Sequence, residues 1–240
     1  MKILTSMKKE LLILGLLFGV IFLSKAQNMD DRLIVESCDD FTPDGKGTNH
    51  QWSKTQWVNL SALNAESAYS TRVKVLYSTS GMYFLFDNQD QKIVSTISSD
   101  NENLWTEDVV EVFLWTDEKY PMYFEYEISP RNFELPILIP KVGEKFLGWL
   151  PWHYEGDRRT KHQTHIAKEG GQVVGWTAEF FIPYELLSPL GNVPPTAGTL
   201  WRANMYRIDY DQEQPVWWAW RPIVNNFHDH KLFGTFEFKP

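Results

Sequence analysis

Three glutamates lie inside two stretches of sequence that predict β-strands. They are Glu111, Glu125 and Glu127. Residues 108–115 and 122–129 alternate in character with a period of two across a short connection, which predicts an antiparallel pair. Acids are disfavoured in strands, and Trp105 precedes the first stretch, so one face of the pair would carry carboxylates and aromatic rings. Such a face predicts a hydrated surface that is used for binding or for chemistry.

Paired carboxylates have two uses that this spacing allows. Two acids about 5–10 Å apart can hydrolyse a glycosidic bond, and Glu125 with Glu111 or Glu127 could supply that pair. The same groups can instead form directional hydrogen bonds with sugar hydroxyls. The sequence has no G-x-S-x-G motif, no nucleophilic-cysteine setting and no phosphate-binding glycine loop. Binding is therefore favoured over catalysis, and the hydrolase remains the alternative.

Aromatic residues make up 15% of the chain, with 11 Trp, 10 Tyr and 15 Phe. Tryptophan is rarely fully buried, and its indole N–H needs a hydrogen-bond partner. Some of these rings are therefore expected at a surface that binds a ligand. In the run of residues 217–220, Trp218 and Trp220 share one face and Trp217 lies on the other, so one face would pack in the core and the other could form a platform.

The elements that must hold these groups are short strands. About ten of them, with turn signals roughly every ten residues and one brief helix after Pro183, predict an all-β antiparallel sandwich of jelly-roll-like arrangement. Pro136 and Pro140 interrupt an apolar run and predict an edge strand or an irregular loop there. Residues 27–240 have the length of a single domain.

The first 26 residues have the pattern of a secretory signal peptide. Lysines precede an apolar run at residues 11–23, which small residues follow, and the run is too short to span a bilayer comfortably. We therefore expect an exported protein, secreted or periplasmic, with no stable membrane insertion after cleavage. No cysteine directly follows the cleavage point, so the bacterial lipoprotein signature is missing.

The charge of the chain argues against nucleic acid as a partner. The net charge is −8, and removing residues 1–26 takes away four lysines and one glutamate, which leaves −11. Such a chain repels phosphate backbones but is compatible with neutral ligands and divalent cations. Cys38 is the one cysteine, so no internal disulfide can form.

Four stretches, in this order along the chain, resemble family 9 carbohydrate-binding modules and the exported family 9-like proteins of Gram-negative bacteria. They are residues 104–114, 175–187, 201–209 and 225–238. The resemblance implies a β-sandwich that holds one or two sugar rings at the end of a glycan between two aromatic side chains. It also implies a structural calcium ion.

The resemblance assigns roles to individual residues. Trp105 matches one aromatic wall and Glu111 matches the acid of the following strand, while Phe227 stands where the family has its second aromatic wall, a tryptophan. Asn204 matches a polar position of a later strand, as does Asp209. At positions 125 and 127 the family carries Arg and Asn where this chain has glutamates. The ligand-binding residues expected are therefore Trp105, Glu111, Glu125, Asn204 and Phe227.

For the implied calcium ion, two oxygen-rich loops offer carboxylates and amides, which hard cations prefer as ligands. The candidate ligands are Asp87, Asp90 and Asp100, with Asn88 and Glu102 beside them. The histidine pairs 228/230 and 162/165 have a spacing that zinc or copper sites use, but no third ligand is apparent from the spacing. A haem-binding relative of the same sandwich class is a further alternative. The function expected is non-catalytic binding of a glycan or oligosaccharide.

Overall fold

The computed structural model describes residues 31–143, 145–152 and 155–240. The predicted signal peptide, residues 1–26, lies outside the described residues, as do the first residues of the predicted domain. Within the described ranges, no helix is both long and apolar enough to span a membrane.

The described chain folds almost entirely into strands. They are β1 (Arg32–Ser37), β2 (Val58–Ala62), β3 (Thr71–Tyr77), β4 (Gly81–Gln89), β5 (Val109–Trp115), β6 (Met122–Ile128), β7 (Glu134–Val142), β8 (Lys145–Phe146), β9 (Leu150–Pro151), β10 (Lys161–Glu169), β11 (Gln172–Pro183), β12 (Leu200–Asp209), β13 (Val216–Ala219) and β14 (Gly234–Phe238). The brief helix α1 spans Tyr184–Leu187 and follows Pro183, as predicted. The all-β class is confirmed, and the described strands number fourteen where about ten were expected.

Two sheets form the sandwich. In the first, β14, β12, β5, β6 and β7 lie side by side, and β13 pairs with the second half of β12. In the second, the order is β10, β11, β4, β3. The strands β1 and β2 each pair with both sheets and so join them. All described pairings are antiparallel except those of β1, which runs parallel to β14 and to β3.

The main core lies between the two sheets. On β5, Val110, Val112 and Leu114 pack into this core, as the period of two predicts. The alternate residues Val109 and Phe113 belong to a second apolar cluster on the outer face of the first sheet. A sheet with apolar residues on both faces needs a covering layer, and the connections between strands provide it here.

Two segments differ from the expectation for their sequence. The apolar run interrupted by Pro136 and Pro140 forms β7, a nine-residue strand that pairs with β6 along its length. Of the described strands, only the short β8 and β9 lie beyond it, so the prolines lie next to the edge of the sheet, where a missing N–H is tolerated. The strand β10 was not predicted, because its sequence KHQTHIAKE is polar and lies largely exposed at the edge of the second sheet.

Candidate functional site

A cleft of about 320 Å³ opens on the outer face of the first sheet. Its lining residues come from β5, β6, β7, β8, β12 and β13 and from the connections that cover them. Six are aromatic: Trp105, Phe113, Phe146, Trp149, Trp217 and Phe227. Three are acids: Glu111, Glu125 and Glu127. The other four are apolar or uncharged: Ile137, Ile208, Asn226 and His228. Four of the five predicted ligand-binding residues, all except Asn204, therefore meet in this cleft.

The alternation of side chains along β5 and β6, together with the pairing register of these strands, places the three acids in the cleft. Glu111 on β5 lies directly opposite Glu127 on β6, and Glu125 lies opposite Phe113. All three carboxylates thus point to the outer face, where β5 and β6 adjoin. Their side chains are 2%, 4% and 0% exposed for Glu111, Glu125 and Glu127 respectively. The expectation of a hydrated face is therefore wrong, because the covering connections bury the acids at the floor of the cleft.

Burial raises the pKa of all three carboxyl groups. The pKa of Glu125 rises to about 8 through burial, although Glu127 opposes the rise in part. The pKa of Glu111 is raised well above its ordinary value by burial and then by Glu125, and that of Glu127 by burial and by both neighbouring acids. Carboxyl groups that are held close together in a medium of low polarity cannot all ionise. At neutral pH the floor of the cleft therefore holds protons.

The acids have little hydrogen bonding to offset this burial. Within the described part of the chain, no donor with good hydrogen-bond geometry reaches either oxygen of Glu127 or the Oε2 atom of Glu125. The nearest polar groups are the two carboxyl groups themselves, which interact with one another, and the Trp105 backbone N–H beside Glu127. No lysine or arginine is among the described residues that line the cleft. Arginine or lysine side chains therefore do not neutralise these acids within the described cleft.

His228 does not supply a positive charge to the floor. Its Nδ1 atom lies 3.8 Å from Glu125 Oε2, but the same atom is 2.8 Å from the Tyr123 hydroxyl. Burial lowers the pKa of His228 to about 4, so the ring is neutral near pH 7. A neutral ring whose Nδ1 accepts from Tyr123 has no proton there to donate to Glu125. The ring of Phe146 stacks on His228 at 4.3 Å and covers it from outside.

Trp105 is held at the rim by a short 3₁₀ turn, Leu104–Thr106, just before β5. Its carbonyl accepts a hydrogen bond of 2.8 Å from the Tyr210 hydroxyl, which fixes the turn against β12. The indole meets Trp149 edge to face, with ring centroids 5.9 Å apart and planes at 76°. The two rings therefore form a corner and present two differently oriented apolar surfaces.

Phe227 lines the cleft but is also part of the covering layer. Its ring stacks on Tyr206 at 4.0 Å with planes 6° apart, and the Tyr206 hydroxyl donates to its carbonyl. Trp217 packs against it edge to face. With 8% of its surface exposed, Phe227 offers a ligand little more than the side that Tyr206 leaves uncovered. The predicted second wall is present in the cleft, but it is a smaller surface than a free ring would give.

Asn204 is not in the cleft, although β12 places it on the correct face of the sheet. It is fully buried, its Oδ1 accepts from the backbone N–H of Arg221, and its Nδ2 donates to the carbonyl of the same residue. Both ends of the amide are thus used to hold the chain after β13. A ligand-binding role for Asn204 does not fit these contacts.

The predicted calcium ligands do not form a common site. Asp87 is paired with Arg72, and the buried Asp90 with the buried Arg207. Asp100 accepts a hydrogen bond from the backbone N–H of residue 134. Among the described residues, no group of three His, Cys, Asp or Glu side chains is arranged to hold a metal ion. These carboxylates therefore do not fit the ion that the resemblance implies, and the histidine pairs lack further ligands in the same described ranges.

The sequence did not point to Phe146 and Trp149 as binding residues. They are 40% and 37% exposed, which makes them the most accessible rings of the cleft. Both lie close to Gly148, in a segment whose apolar residues follow neither the period of a strand nor that of a helix. Aromatic residues that do not fit the pattern of a buried element were the one feature of the sequence that could have indicated them. Trp217 lines the cleft while Trp218 and Trp220 pack in the main core, so the predicted division of the tryptophans between two faces is confirmed.

Comparison with known proteins gives a consistent result. Residues 44–136 match a family model described as "Carbohydrate family 9 binding domain-like". Comparison with curated protein sequences gave no significant match.

Three solved structures share the fold. A Bacteroides uniformis protein described as "a putative carbohydrate-binding protein" is 16% identical with a TM-score of 0.71, covering 87% of this chain and 99% of its own. A family 9 carbohydrate-binding module from Caldicellulosiruptor kristjanssonii in complex with cellotriose is 17% identical with a TM-score of 0.62, covering 87% and 93%. A module of the same family and organism in complex with glucose gives 17% and 0.62, covering 87% and 95%. Residues 44–136 are therefore similar to family 9 carbohydrate-binding domains, and the chain shares its fold with solved proteins of this kind, as the ordered motifs of the sequence predicted.

Proposed function

We propose that this protein binds carbohydrate without cleaving it, and that the cleft on the first sheet holds one or two sugar rings. The observation that carries the proposal is the convergence of six aromatic rings and three buried carboxyl groups in one cleft of about 320 Å³. That volume lies at the lower end of the range of small-molecule sites. The two solved family 9 modules, one with cellotriose and one with glucose, support the same class of ligand.

The chemistry of the lining suits a pyranose. A sugar ring has an apolar C–H face, which packs on a flat aromatic side chain, and a rim of hydroxyls that need directional partners. Trp105 and Trp149 offer the flat surfaces. A protonated carboxyl both donates and accepts a hydrogen bond, so the acids at the floor can satisfy hydroxyls of either role. Affinities in the micromolar to millimolar range, roughly −4 to −8 kcal/mol, are expected of such a site.

We further propose that the protein acts outside the cytoplasm, secreted or periplasmic. This rests on the signal-peptide pattern of residues 1–26, with its short apolar run and small residues before the cleavage point. Sequencing the amino terminus of the exported protein tests it, and a start near residue 27 is expected.

Binding is tested by calorimetry with glucose and cellotriose on variants of the two tryptophans that form the corner of the cleft. Trp105→Ala and Trp149→Ala should each weaken binding by more than about 1 kcal/mol, because each removes a flat apolar surface from the cleft. The matched control is Trp57→Ala, a half-buried tryptophan that lies against Arg72 and Lys74 on the second sheet. Unchanged affinity in both cleft variants would overturn the proposal.

Glycoside hydrolysis is the rival, and the buried acids give it a specific basis. A hydrolase needs one carboxyl protonated and another ionised at the working pH, which requires two different environments. Here the same cause, burial, raises the pKa of all three acids, and no cation lines the described cleft to keep one of them ionised. Release of reducing sugar that disappears in Glu125→Gln would favour the hydrolase instead.

A further inference from the structure

The floor of the cleft gathers three acids, and no lysine or arginine is among the described residues that line it. Buried polar atoms in proteins are nearly always hydrogen-bonded, and an unpartnered one calls for a physical reason. Here three oxygens, both of Glu127 and Oε2 of Glu125, have no donor with good hydrogen-bond geometry, and they belong to residues that are at most 4% exposed and that line one cleft. The described part of the chain brings them no counter-charge. In the described chain these oxygens have the neighbouring carboxyl group and the Trp105 backbone N–H beside them, so a positive charge would have to be supplied by the ligand.

The other titratable groups that face the acids are uncharged near neutral pH. Tyr123 and Tyr206, from β6 and β12, and Tyr210, which follows β12, all have pKa values raised by burial, so they stay protonated. His228, in the connection before β14, has its pKa lowered and stays neutral. The cleft therefore offers several potential negative charges to a ligand and no fixed positive charge from these elements.

We propose that the cleft selects sugars that carry a free amino group, with the ammonium at the acid floor and the ring against the aromatic wall. This inference deepens the proposed function and rests on it. A cation is matched by both halves of the lining, because a buried carboxylate pairs with an ammonium and the faces of tryptophan rings attract cations. A neutral sugar uses the rings and the hydrogen bonds of the protonated acids but gains no ion pair with them.

Binding of such a sugar must release a proton. In the free protein the acid nearest the ammonium is protonated, and in the complex the ammonium favours its ionised form. The O–H proton of that carboxyl passes to the solvent, and the carboxylate and the ammonium remain as an ion pair. No covalent bond of the sugar changes. Affinity should therefore rise with pH up to the point at which the amine itself loses its proton.

The test is calorimetry of wild-type protein with glucosamine, glucose and N-acetylglucosamine near pH 7. Glucosamine should bind at least about tenfold more tightly than either neutral sugar, which corresponds to about 1.4 kcal/mol. Repeating the titration in phosphate and in Tris, buffers with different heats of ionisation, should show proton release for glucosamine alone. This second measurement needs no variant and so does not depend on whether any variant folds.

Substitutions at the floor then locate the effect. In Glu125→Gln, and in the variant with glutamine at all three acid positions, the ratio of glucosamine to glucose affinity should fall to about one. Truncating one partner of a buried ion pair typically costs roughly thirtyfold or more in affinity, so the loss should be easy to measure. Glu185→Gln, an exposed acid on α1, is the matched control and should keep the wild-type ratio.

The outcomes separate the two proposals. If glucose and glucosamine bind equally, without proton release, the inference about the amine is overturned and carbohydrate binding stands. If the preference for glucosamine survives the triple glutamine variant, the acid floor is not its cause and the inference is again overturned. If the wild-type protein binds none of the three sugars, the proposed function falls as well.

Discussion

Replacing Glu125 with glutamine should stabilise the free protein, and increasingly so as the pH rises. Glutamine has the shape of a protonated glutamate but cannot ionise. Burial raises the pKa of Glu125 to about 8, compared with an ordinary value of 4.5 in an unfolded chain. Between those two values the folded protein binds a proton that the unfolded chain does not. The native state of the wild type therefore loses stability as the pH rises through this range, because the number of bound protons falls on unfolding.

The size of the effect follows from the same two values. One proton changes the free energy of unfolding by at most about 1.4 kcal/mol per pH unit. From pH 5 to pH 8 the wild type should therefore lose about 3 kcal/mol relative to Glu125→Gln. The neighbouring acids act in the same direction, since the charge of Glu125 contributes to the raised pKa of Glu111 and of Glu127. Asp90 and Asp108 also have raised pKa values, but they are present in both proteins and cancel in the comparison.

The assay is urea unfolding, followed by tryptophan fluorescence, at pH 5, 6.5 and 8. The slope of the unfolding free energy with urea should be the same for both proteins, which shows that they expose the same surface on unfolding. Glu185→Gln is the control, and its stability should follow that of the wild type at every pH. Parallel stability profiles of wild type and Glu125→Gln over the whole range would refute the reasoning, because they would mean that Glu125 is ionised in the folded protein.

Two further predictions concern residues that the sequence assigned to sites and the fold uses otherwise. Asn204→Ala should lower the free energy of unfolding by about 1–3 kcal/mol, because it removes two hydrogen bonds that the buried amide forms with the Arg221 backbone, and should not change sugar affinity in calorimetry. Asn59→Ala, an exposed asparagine on β2, is its control. Addition of calcium after treatment with a chelator should leave the thermal midpoint unchanged, because Asp87 and Asp90 already pair with arginines; a rise of the midpoint with calcium concentration, as linkage requires for a bound ion, would contradict this.

The period of two was sufficient to predict the sheet that carries the cleft. It assigned each residue of β5 and β6 to the correct face, and thereby predicted that Glu111, Glu125 and Glu127 lie together. Their burial could not be predicted in this way. It depends on the connection that carries Phe227 and His228, which lies about a hundred residues away in the chain and has no period of its own.

The alternation of side chains along β12 also explains why the sequence assigned Asn204 to the ligand site. Asn204 does lie on the outer face of the first sheet, as its position in β12 required. Whether its amide faces a ligand or the protein depends on whether a backbone segment comes within hydrogen-bonding distance, and the Arg221 backbone does. A polar side chain on a covered sheet face can form hydrogen bonds with a ligand or with a neighbouring backbone segment. The alternation of residues along a strand is the same in both cases, so it cannot show which partner is present.

The stability of the free protein and the affinity for an amino sugar must depend on the same proton. If Glu125 is the group that pairs with the ammonium, the loss of stability of the wild type relative to Glu125→Gln and the rise of its affinity for glucosamine should both level off at the pKa of Glu125 in the free protein, unless the amine loses its own proton first. Both quantities report removal of one proton from one carboxyl, and linkage requires the two profiles to share its pKa in the unliganded protein. An affinity that stops rising well below pH 8, while the amine is still protonated, would mean that another acid contacts the ammonium, because the pKa of Glu125 in the free protein is about 8. Glucose, which has no charge, should show no such rise in either case, so the difference between the two sugars isolates the carboxyl from every other titrating group of the cleft.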